Sequence, residues 1–361
     1  MTTMSCCKEG LATEITKEMR KTERIETCLR SAGSEDKDIL LLVHGNASSS
    51  VFFDELIIDM AGDFRVIAPD LRGYGETEPK PIDARRGMRD FADDLAALVD
   101  HMGLSDSRLH LLGWSMGAGV AMQFALDHAD RVASLVLESP LPPFGFGGTK
   151  DAVGTSCWPD RAGSGGGAAN PEYVRRLAEK DRSDESPFSP RNVMNSFYFK
   201  PPFRMRPERE EELVSSVLAM RIGEGFYPGG LAASPNWPGV APGEDGINNA
   251  MAPGYCDLSG FADIPSRPPV LWVRGADDQI VSDFSMLDFG TLGQLGAVPG
   301  WPGADVFPPQ PMVSQMRHLL ERYAAAGGRY QEVVVENSGH SPHLEQAATF
   351  TQALRAFLAD V

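Results

Sequence analysis

Short, mostly apolar runs recur along the chain and are separated by polar, glycine-containing turns. Strands of a parallel sheet have this appearance because helices cover both of their faces. Residues 88–102 differ, since their apolar positions recur every three or four residues, which predicts an amphipathic helix. A second helix is predicted at residues 116–126, which are rich in alanine and methionine. The runs that predict buried strands lie at residues 39–43, 65–68, 109–112 and 132–137.

The alternation of strands and helices predicts βαβ units and a mostly parallel sheet. It breaks between residues 139 and 267, where the chain is rich in proline and glycine and has helical patches near 171–180 and 208–222. The alternation then resumes with predicted strands at 270–273 and 331–335 and predicted helices at about 311–326 and 344–358.

We therefore predict an α/β fold in two parts. A doubly wound, mostly parallel sheet forms the core from residues 1–139 and 266–361, and residues 140–265 are inserted as a partly helical cap. Residues 1–20 are polar and predict a mobile tail or a short helix, and residues 24–30 have a modest strand pattern.

The chain of 361 residues carries 50 acidic and 33 basic side chains, which gives a net charge of −17. This excess repels phosphate backbones and anionic membranes, so we expect neither nucleic acid nor a membrane as partner. The sequence has no apolar run of about 18 residues, which a membrane span needs, and its N-terminus does not resemble a secretory signal. A cytoplasmic location is the default expectation, and the formation of a homo-oligomer stays open.

Five cysteines show neither the spacing of a zinc site nor that of a redox pair. We expect them to be free thiols in a reducing compartment. No cluster of histidine, cysteine and aspartate has metal-ligand spacing, so the sequence implies neither a metal nor an organic cofactor. The cysteines are Cys6, Cys7, Cys28, Cys157 and Cys256.

Residues 113–117, Gly-Trp-Ser-Met-Gly, match the G-x-S-x-G pattern of a nucleophile elbow. The motif follows a predicted strand and opens a predicted helix, which is the context that this sharp turn requires. Glycines on both sides let the two backbones approach, while the serine hydroxyl stands clear at the positive end of the helix. Ser115 is therefore the candidate nucleophile.

Three further polar segments follow predicted strands, where open α/β sheets place their sites. His340 lies in the turn after the last strand, from which its ring can lean toward Ser115 as a general base. His343 falls in the first turn of the next helix and is expected at the surface. The segments are His44-Gly45-Asn46, residues 274–281 with Asp277 and Asp278, and residues 337–343.

The chain order of serine, acid and histidine resembles that of the α/β-hydrolase superfamily. Residues 70–77, Asp-Leu-Arg-Gly-Tyr-Gly-Glu-Thr, and residues 339–345, Gly-His-Ser-Pro-His-Leu-Glu, are similar to motifs of that family. The resemblance covers about residues 39–140 and 268–360. It implies an α/β-hydrolase core with a cap over the carboxyl edge of the sheet.

The same resemblance implies a role for each candidate residue. Ser115, Asp278 and His340 would form the catalytic triad, with Asp278 rather than Asp277 as the acid. Backbone N–H groups of Asn46 and Met116 would form the oxyanion hole, and His44 would brace that loop. Glu138 is the alternative acid, because some relatives supply the acid from the end of this strand.

One difference from related enzymes limits the activities that the resemblance implies. Residues 44–49 resemble the corresponding loop of haloalkane dehalogenases, but those enzymes and the epoxide hydrolases use an aspartate nucleophile. This chain has Ser115 at that position, which disfavours both activities. A dinucleotide site is also disfavoured, since Met122 stands where G-x-G-x-x-G needs its third glycine.

We therefore expect a serine hydrolase that cleaves a carboxylic ester or lactone with a sizeable apolar part. Two alternatives stay open: a non-catalytic small-molecule receptor on the same fold, and a C–C bond hydrolase or acyltransferase with the same triad. Aromatic residues of the cap either line a pocket against the catalytic edge or form the cap's own small core, and residues 283–310 are expected as a long loop that forms another wall of the cleft. Glycines 163–167 suit a hinge or gate.

Overall fold

The computed structural model describes residues 14–361, which form one eight-stranded sheet with helices around it. The strand order is β1-β2-β4-β3-β5-β6-β9-β10; β1, β2 and β4 pair antiparallel, and all later neighbours pair parallel. The predicted fold class is therefore confirmed. The strands are β1 (Thr16–Lys21), β2 (Glu26–Ala32), β3 (Ile39–Val43), β4 (Arg65–Pro69), β5 (Leu109–Trp114), β6 (Val132–Glu138), β7 (Leu231–Ala233), β8 (Val240–Pro242), β9 (Val270–Gly275) and β10 (Tyr330–Val335).

Helices cover both faces of this sheet, since every residue of β3 and β5 is buried. The helix at Arg89–His101, α2, illustrates the cause, because its apolar positions Phe91, Leu95 and Leu98 are all buried. The helices are α1 (Asp54–Met60), α2 (Arg89–His101), α3 (Met116–Asp127), α4 (Pro171–Ala178), α5 (Pro190–Val193), α6 (Pro207–Leu218), α7 (Ile247–Ala250), α8 (Phe289–Gln294), α9 (Met312–Ala325), α10 (Pro342–Glu345) and α11 (Ala347–Ala359).

The N-terminal prediction is wrong for residues 16–20. They belong to strand β1, which pairs with β2 from Thr16 opposite Ser31 to Lys21 opposite Glu26. Polar residues form this strand because it lies at the sheet edge, where charged side chains discourage pairing with another chain. Residues 1–13 lie outside the described residues, and with them Cys6 and Cys7; Cys28, Cys157 and Cys256 are free thiols.

The C-terminal helix also differs from its prediction, because it is two helices rather than one. The backbone leaves the helical conformation at Gln346, with φ −129° and ψ 48°, between α10 and α11. Residues 283–310, expected as a long loop, contain the short helix α8. No helix within residues 14–361 is long and apolar enough to cross a membrane.

The chain between β6 and β9 holds α4 to α7 and the small antiparallel pair β7–β8. Polar contacts attach this inserted segment to the loop after β3 and to α1. The Arg209 guanidinium donates to Glu55 and to the Val51 carbonyl at 2.7 Å, and the hydroxyls of Ser216 and Ser49 lie 2.6 Å apart. The domain division at residues 140 and 265 stays a prediction.

Glycines 163–167 are closely packed within this segment. A Cβ atom on Gly165 would lie 2.4 Å from the Asn249 side-chain oxygen, and one on Gly166 would lie 2.6 Å from the Gly229 carbonyl oxygen. Asn249 also accepts the Gly166 N–H at 2.7 Å. These contacts describe a close-packed junction, and a hinge or gate at these glycines stays a prediction.

The start of α3 lies directly against the end of β3. A Cβ atom on Gly117 would be 2.1 Å from the Val43 carbonyl oxygen, and one on Gly113 would be 2.4 Å from the Ala118 Cα atom. Both distances are far below a van der Waals contact, so only glycine allows this approach of helix and strand. The G-x-S-x-G glycines are therefore required by packing.

We expect Gly117→Ala to lower the free energy of unfolding by about 3 kcal/mol or more, because the added methyl must displace backbone rather than a side chain. Gly260→Ala is the matched control, since its Cβ atom would make an ordinary 3.5 Å contact with Leu126. Urea denaturation measures both variants. Equal stability of the two would contradict the close approach.

Candidate active site

Ser115 stands at the turn between β5 and α3 in a strained backbone conformation. Its φ of 58° and ψ of −120° lie in a region that residues with a Cβ atom rarely occupy. Neighbouring backbone holds the turn, since the Ser115 N–H donates to the Glu138 carbonyl at 2.8 Å and its carbonyl accepts the Leu141 N–H at 3.0 Å. The residue is partly exposed.

His340 and Asp278 form a buried pair at the carboxyl edge of the sheet. The Asp278 Oδ2 atom lies 2.8 Å from His340 Nδ1, and the two side chains are 2% and 3% exposed. The other carboxylate oxygen accepts the N–H groups of Ile280 and Val281, at 2.8 and 3.0 Å. These two bonds leave Oδ2 to face the imidazole ring.

Asp277 points elsewhere. Its carboxylate pairs with Lys200 at 2.8 Å, and its side chain is 40% exposed. The neighbouring aspartates therefore have different surroundings, and Asp278 is the one that contacts His340.

Trp114 links the histidine loop to the serine turn. Its indole N–H donates to the His340 carbonyl at 2.8 Å, and the centres of the two rings are 5.7 Å apart. The residue just before Ser115 therefore holds the His340 backbone through a hydrogen bond. Among residues 14–361 no hydrogen bond joins the Ser115 hydroxyl to His340; such contacts often tighten only when substrate is bound.

The loop after β3 lies against the serine turn. A Cβ atom on Gly45 would be 3.0 Å from that of Ser115, which brings Asn46 next to the nucleophile candidate. The Tyr74 hydroxyl donates to the Asn46 side-chain oxygen at 2.8 Å and lies 3.4 Å from the Met116 sulfur. Within the described chain, the backbone N–H groups of Asn46 and Met116 have no hydrogen-bond acceptor. Their use as an oxyanion hole stays a prediction.

His44 fixes the shape of this loop. Its Nε2 atom accepts the Leu71 N–H at 3.0 Å, so the proton resides on Nδ1, which donates to the Gly45 carbonyl at 2.8 Å. Burial lowers the pKa of His44 and keeps the ring neutral. This geometry agrees with a bracing residue.

Glu138 lies at the end of β6 and contacts the other histidine. Its Oε1 atom accepts the His343 backbone N–H and lies 2.9 Å from His343 Nδ1. The His343 Nε2 atom lies 3.2 Å from the Phe52 carbonyl oxygen. The alternative acid is thus paired with His343 rather than with His340.

The expectation that His343 lies at the surface is wrong, since the residue is 3% exposed. Its ring packs between aromatic neighbours, 5.2 Å from both Phe53 and Trp114. A buried carboxylate partner makes this burial possible, because a polar ring in the core needs hydrogen bonds. The partner is 205 residues away in the chain, so no local pattern around His343 indicates it.

Tyr198, one of the cap aromatics, brings the inserted segment to the same place. Its hydroxyl donates to the Ala47 carbonyl at 3.0 Å, and its ring centre lies 5.8 Å from that of Trp114 and 6.4 Å from that of His340. Burial raises the pKa of this phenol far above its ordinary value, so it remains a donor.

The aromatic residues of the 283–310 region pack mainly on one another. Trp237 of the inserted segment lies 4.9 Å from Phe307 and 5.9 Å from Phe289, and the Trp301 indole donates to the Phe307 carbonyl at 2.8 Å. Phe284 is 63% exposed. That these residues form a wall of the substrate cleft stays a prediction. Within residues 14–361, no three histidine, cysteine, aspartate or glutamate side chains are grouped to hold a metal ion.

Comparison with known proteins gives one family match and many structural neighbours. The family model for the alpha/beta hydrolase fold matches residues 38–156. The soluble epoxide hydrolase of Corynebacterium sp. is 32% identical over 142 residues, which is 39% of this chain and 48% of that protein. Matches to the curated relatives span between 33% and 48% of their lengths.

Solved structures match almost the whole chain. A carboxylesterase from Bacillus subtilis has a TM-score of 0.59 and 19% identity, with 96% of this chain and 93% of that one covered. A thermophilic esterase from Thermogutta terrifontis has a TM-score of 0.57 and 25% identity, with 96% and 98% covered. The structural match therefore includes the region between β6 and β9. The family model covers only the start of that region, because its match ends at residue 156.

The two carboxylates can be told apart by isosteric substitution. We expect Asp278→Asn to lower kcat on the order of 10³- to 10⁴-fold, since the amide would favour the wrong histidine tautomer. Glu138→Gln should reduce kcat less than about tenfold and mainly lower stability, because its partner is the buried His343. Asp277→Asn is the matched control and should cost little. A severe kcat loss in Glu138→Gln with a mild one in Asp278→Asn would reverse the assignment.

Proposed function

Because the chain belongs to the α/β-hydrolase fold superfamily, we propose that it is a serine hydrolase that cleaves a carboxylic ester or a lactone. The observation that carries this proposal is the buried pair of His340 and Asp278. The His340 carbonyl also accepts a hydrogen bond from Trp114, the residue that precedes the strained Ser115. A serine, a histidine and an oriented carboxylate are the parts that acyl transfer requires.

In the proposed reaction, the Ser115 hydroxyl oxygen attacks the acyl carbon while His340 takes the hydroxyl proton. Asp278 orients the imidazole and stabilises its cation. The protonated His340 then gives its proton to the leaving alkoxide, and an acyl-enzyme remains on Ser115. Water, deprotonated by His340, attacks that acyl group and releases the carboxylic acid and the free serine.

The backbone N–H groups of Asn46 and Met116 are the proposed donors to the oxyanion. Asn46 lies in the loop that contacts Ser115, and Met116 directly follows Ser115 in the chain. Neither N–H group has an acceptor within residues 14–361. One such donor is typically worth about 3–4 kcal/mol of transition-state stabilisation. Preformed donors of this kind suit a tetrahedral acyl intermediate.

Two considerations favour ester cleavage over the other chemistries of the superfamily. The epoxide hydrolases and haloalkane dehalogenases use an aspartate nucleophile, whereas this chain has Ser115. The structural neighbours also include a carboxylesterase and an esterase. The substrate is proposed to be a small molecule with a sizeable apolar part, because the rings of Trp114 and Tyr198 lie beside His340.

We expect Ser115→Ala to abolish turnover of aryl esters without loss of stability, since alanine is smaller and carries the same backbone. A fluorophosphonate reagent should label the wild-type protein at Ser115 and leave the variant unlabelled. Peptide mass spectrometry of the labelled protein identifies the residue, and thermal unfolding of both proteins is the control.

Each other outcome points to a defined alternative. Activity above a few per cent in Ser115→Ala would refute the serine mechanism. Specific ligand binding without any turnover would indicate a receptor. Labelling at Ser115 without ester cleavage would direct attention to acyl transfer or C–C bond hydrolysis.

Substrate size provides a second test. We expect kcat/KM for p-nitrophenyl esters to rise from acetate toward longer or bulkier acyl groups, since burial of each added methylene contributes about 0.8 kcal/mol. A panel from acetate to decanoate, extended by γ- and δ-lactones, measures this dependence. A wide preference for acetate would show that the inserted segment leaves only a small cleft.

A further inference from the structure

We propose that Glu345 is a positioning residue that holds the backbone on both sides of His340 and joins it to the inserted segment. The inference rests on the proposed function, in which His340 is the general base. Glu345 itself does not contact Ser115 or the His340 ring among the hydrogen bonds of residues 14–361. Its effect is exerted through the position of the histidine.

The first Glu345 oxygen bonds the two peptide groups next to His340. Its Oε1 atom accepts the Gly339 N–H at 2.8 Å and the Ser341 N–H at 3.4 Å, and the Ser338 hydroxyl donates to it at 3.2 Å. A single carboxylate oxygen thus gathers donors from before and after the histidine. This arrangement restrains the backbone dihedral angles that set where the His340 side chain begins.

The second oxygen bonds the inserted segment. Its Oε2 atom accepts the Lys200 N–H at 2.6 Å. The two chains are in close contact here, because a Cβ atom on Gly339 would lie 2.8 Å from the Lys200 nitrogen. The Lys200 ammonium then pairs with Asp277 at 2.8 Å and donates to the Asn337 side chain at 3.2 Å.

One short stretch of the inserted segment therefore contacts all three loops around Ser115. Tyr198 bonds the loop after β3, and the Lys200 ammonium bonds Asp277 in the loop that carries Asp278 and Asn337 in the loop that carries His340. The Glu345 carboxylate accepts hydrogen bonds both from this stretch and from the backbone beside His340.

A carboxylate suits this place better than a neutral amide. All four donors to Glu345 are N–H or O–H groups, and a carboxylate offers two oxygens that only accept hydrogen bonds. A glutamine would turn its NH₂ group toward one set of donors and leave a buried N–H unpaired. Glu345 is 7% exposed, so solvent cannot easily replace the lost partner.

The expected consequence is kinetic. Asp278 bonds the imidazole ring, but the ring also needs its backbone in place to reach the Ser115 hydroxyl. A displacement of about 1 Å in a catalytic group can cost about 10²-fold in rate. Because Glu345 is proposed to act through the position of the general base, the change should appear in kcat rather than in KM.

The test is Glu345→Gln beside Glu210→Gln as matched control. Glu210 in helix α6 is similarly buried, at 9% exposure, but its carboxylate accepts a hydrogen bond from Arg191 of α5 at 2.7 Å. For both variants we would measure kcat and KM on the best aryl ester, the rate of fluorophosphonate labelling of Ser115, thermal stability, and hydrogen exchange of the peptide that spans residues 336–346.

We expect Glu345→Gln to lower kcat and the labelling rate by about 10- to 100-fold, with KM changed less than about threefold. Exchange should quicken in the 336–346 peptide and stay unchanged in Glu210→Gln, whose kinetics should match the wild type. Wild-type kcat and labelling rate in a folded Glu345→Gln variant would overturn the proposal. An equal loss in Glu210→Gln would do the same.

A shortened carboxylate protects the test against misfolding. If Glu345→Gln does not fold, Glu345→Asp keeps the charge but cannot reach both sets of donors, and it should give the same kcat loss with unchanged KM. Failure of the proposed function looks different, because wild-type labelling and turnover would then survive Ser115→Ala. Ser115-dependent labelling that is insensitive to both Glu345 variants would refute the positioning role alone.

Discussion

The contact between Gly117 and the Val43 carbonyl oxygen is the constraint on which the rest of the site depends. It sets helix α3 directly against strand β3, and it forces the chain to turn sharply at Ser115. The strain of that turn is held by backbone bonds to Glu138 and Leu141. Because helix and strand are this close, the loop after β3 also lies beside the serine.

Around this turn, buried polar side chains join loops that are distant in the chain. Asp278 bonds His340, Glu138 bonds His343, and the Tyr74 hydroxyl bonds Asn46. An unpaired polar group in the core costs free energy, so each of these residues specifies its partner as well as stabilising it. The carboxyl edge of the sheet is therefore fixed by pairs of side chains rather than by backbone alone.

Sequence patterns predicted what local rules determine. The apolar runs of β3 and β5 and the elbow at Ser115 follow from strand burial and from glycine packing, and all are present. The apolar pattern did not predict strand β1, because its residues are polar and its place in the sheet comes from backbone pairing with β2. The burial of His343 and the contacts of Glu345 depend on residues far along the chain, which no local pattern reveals.

The order of strands across the sheet has a consequence for the order in which the parts of the chain fold. Strands β3 to β6 and the serine elbow are complete by residue 138, but β9 and β10 pair beside β6 only after the whole inserted segment. Such distant parallel pairings form slowly, because a long loop must close before they gain any contact. During synthesis the Ser115 turn is therefore complete well before the strand that precedes His340 can pair, so the site comes together only when β10 joins the sheet.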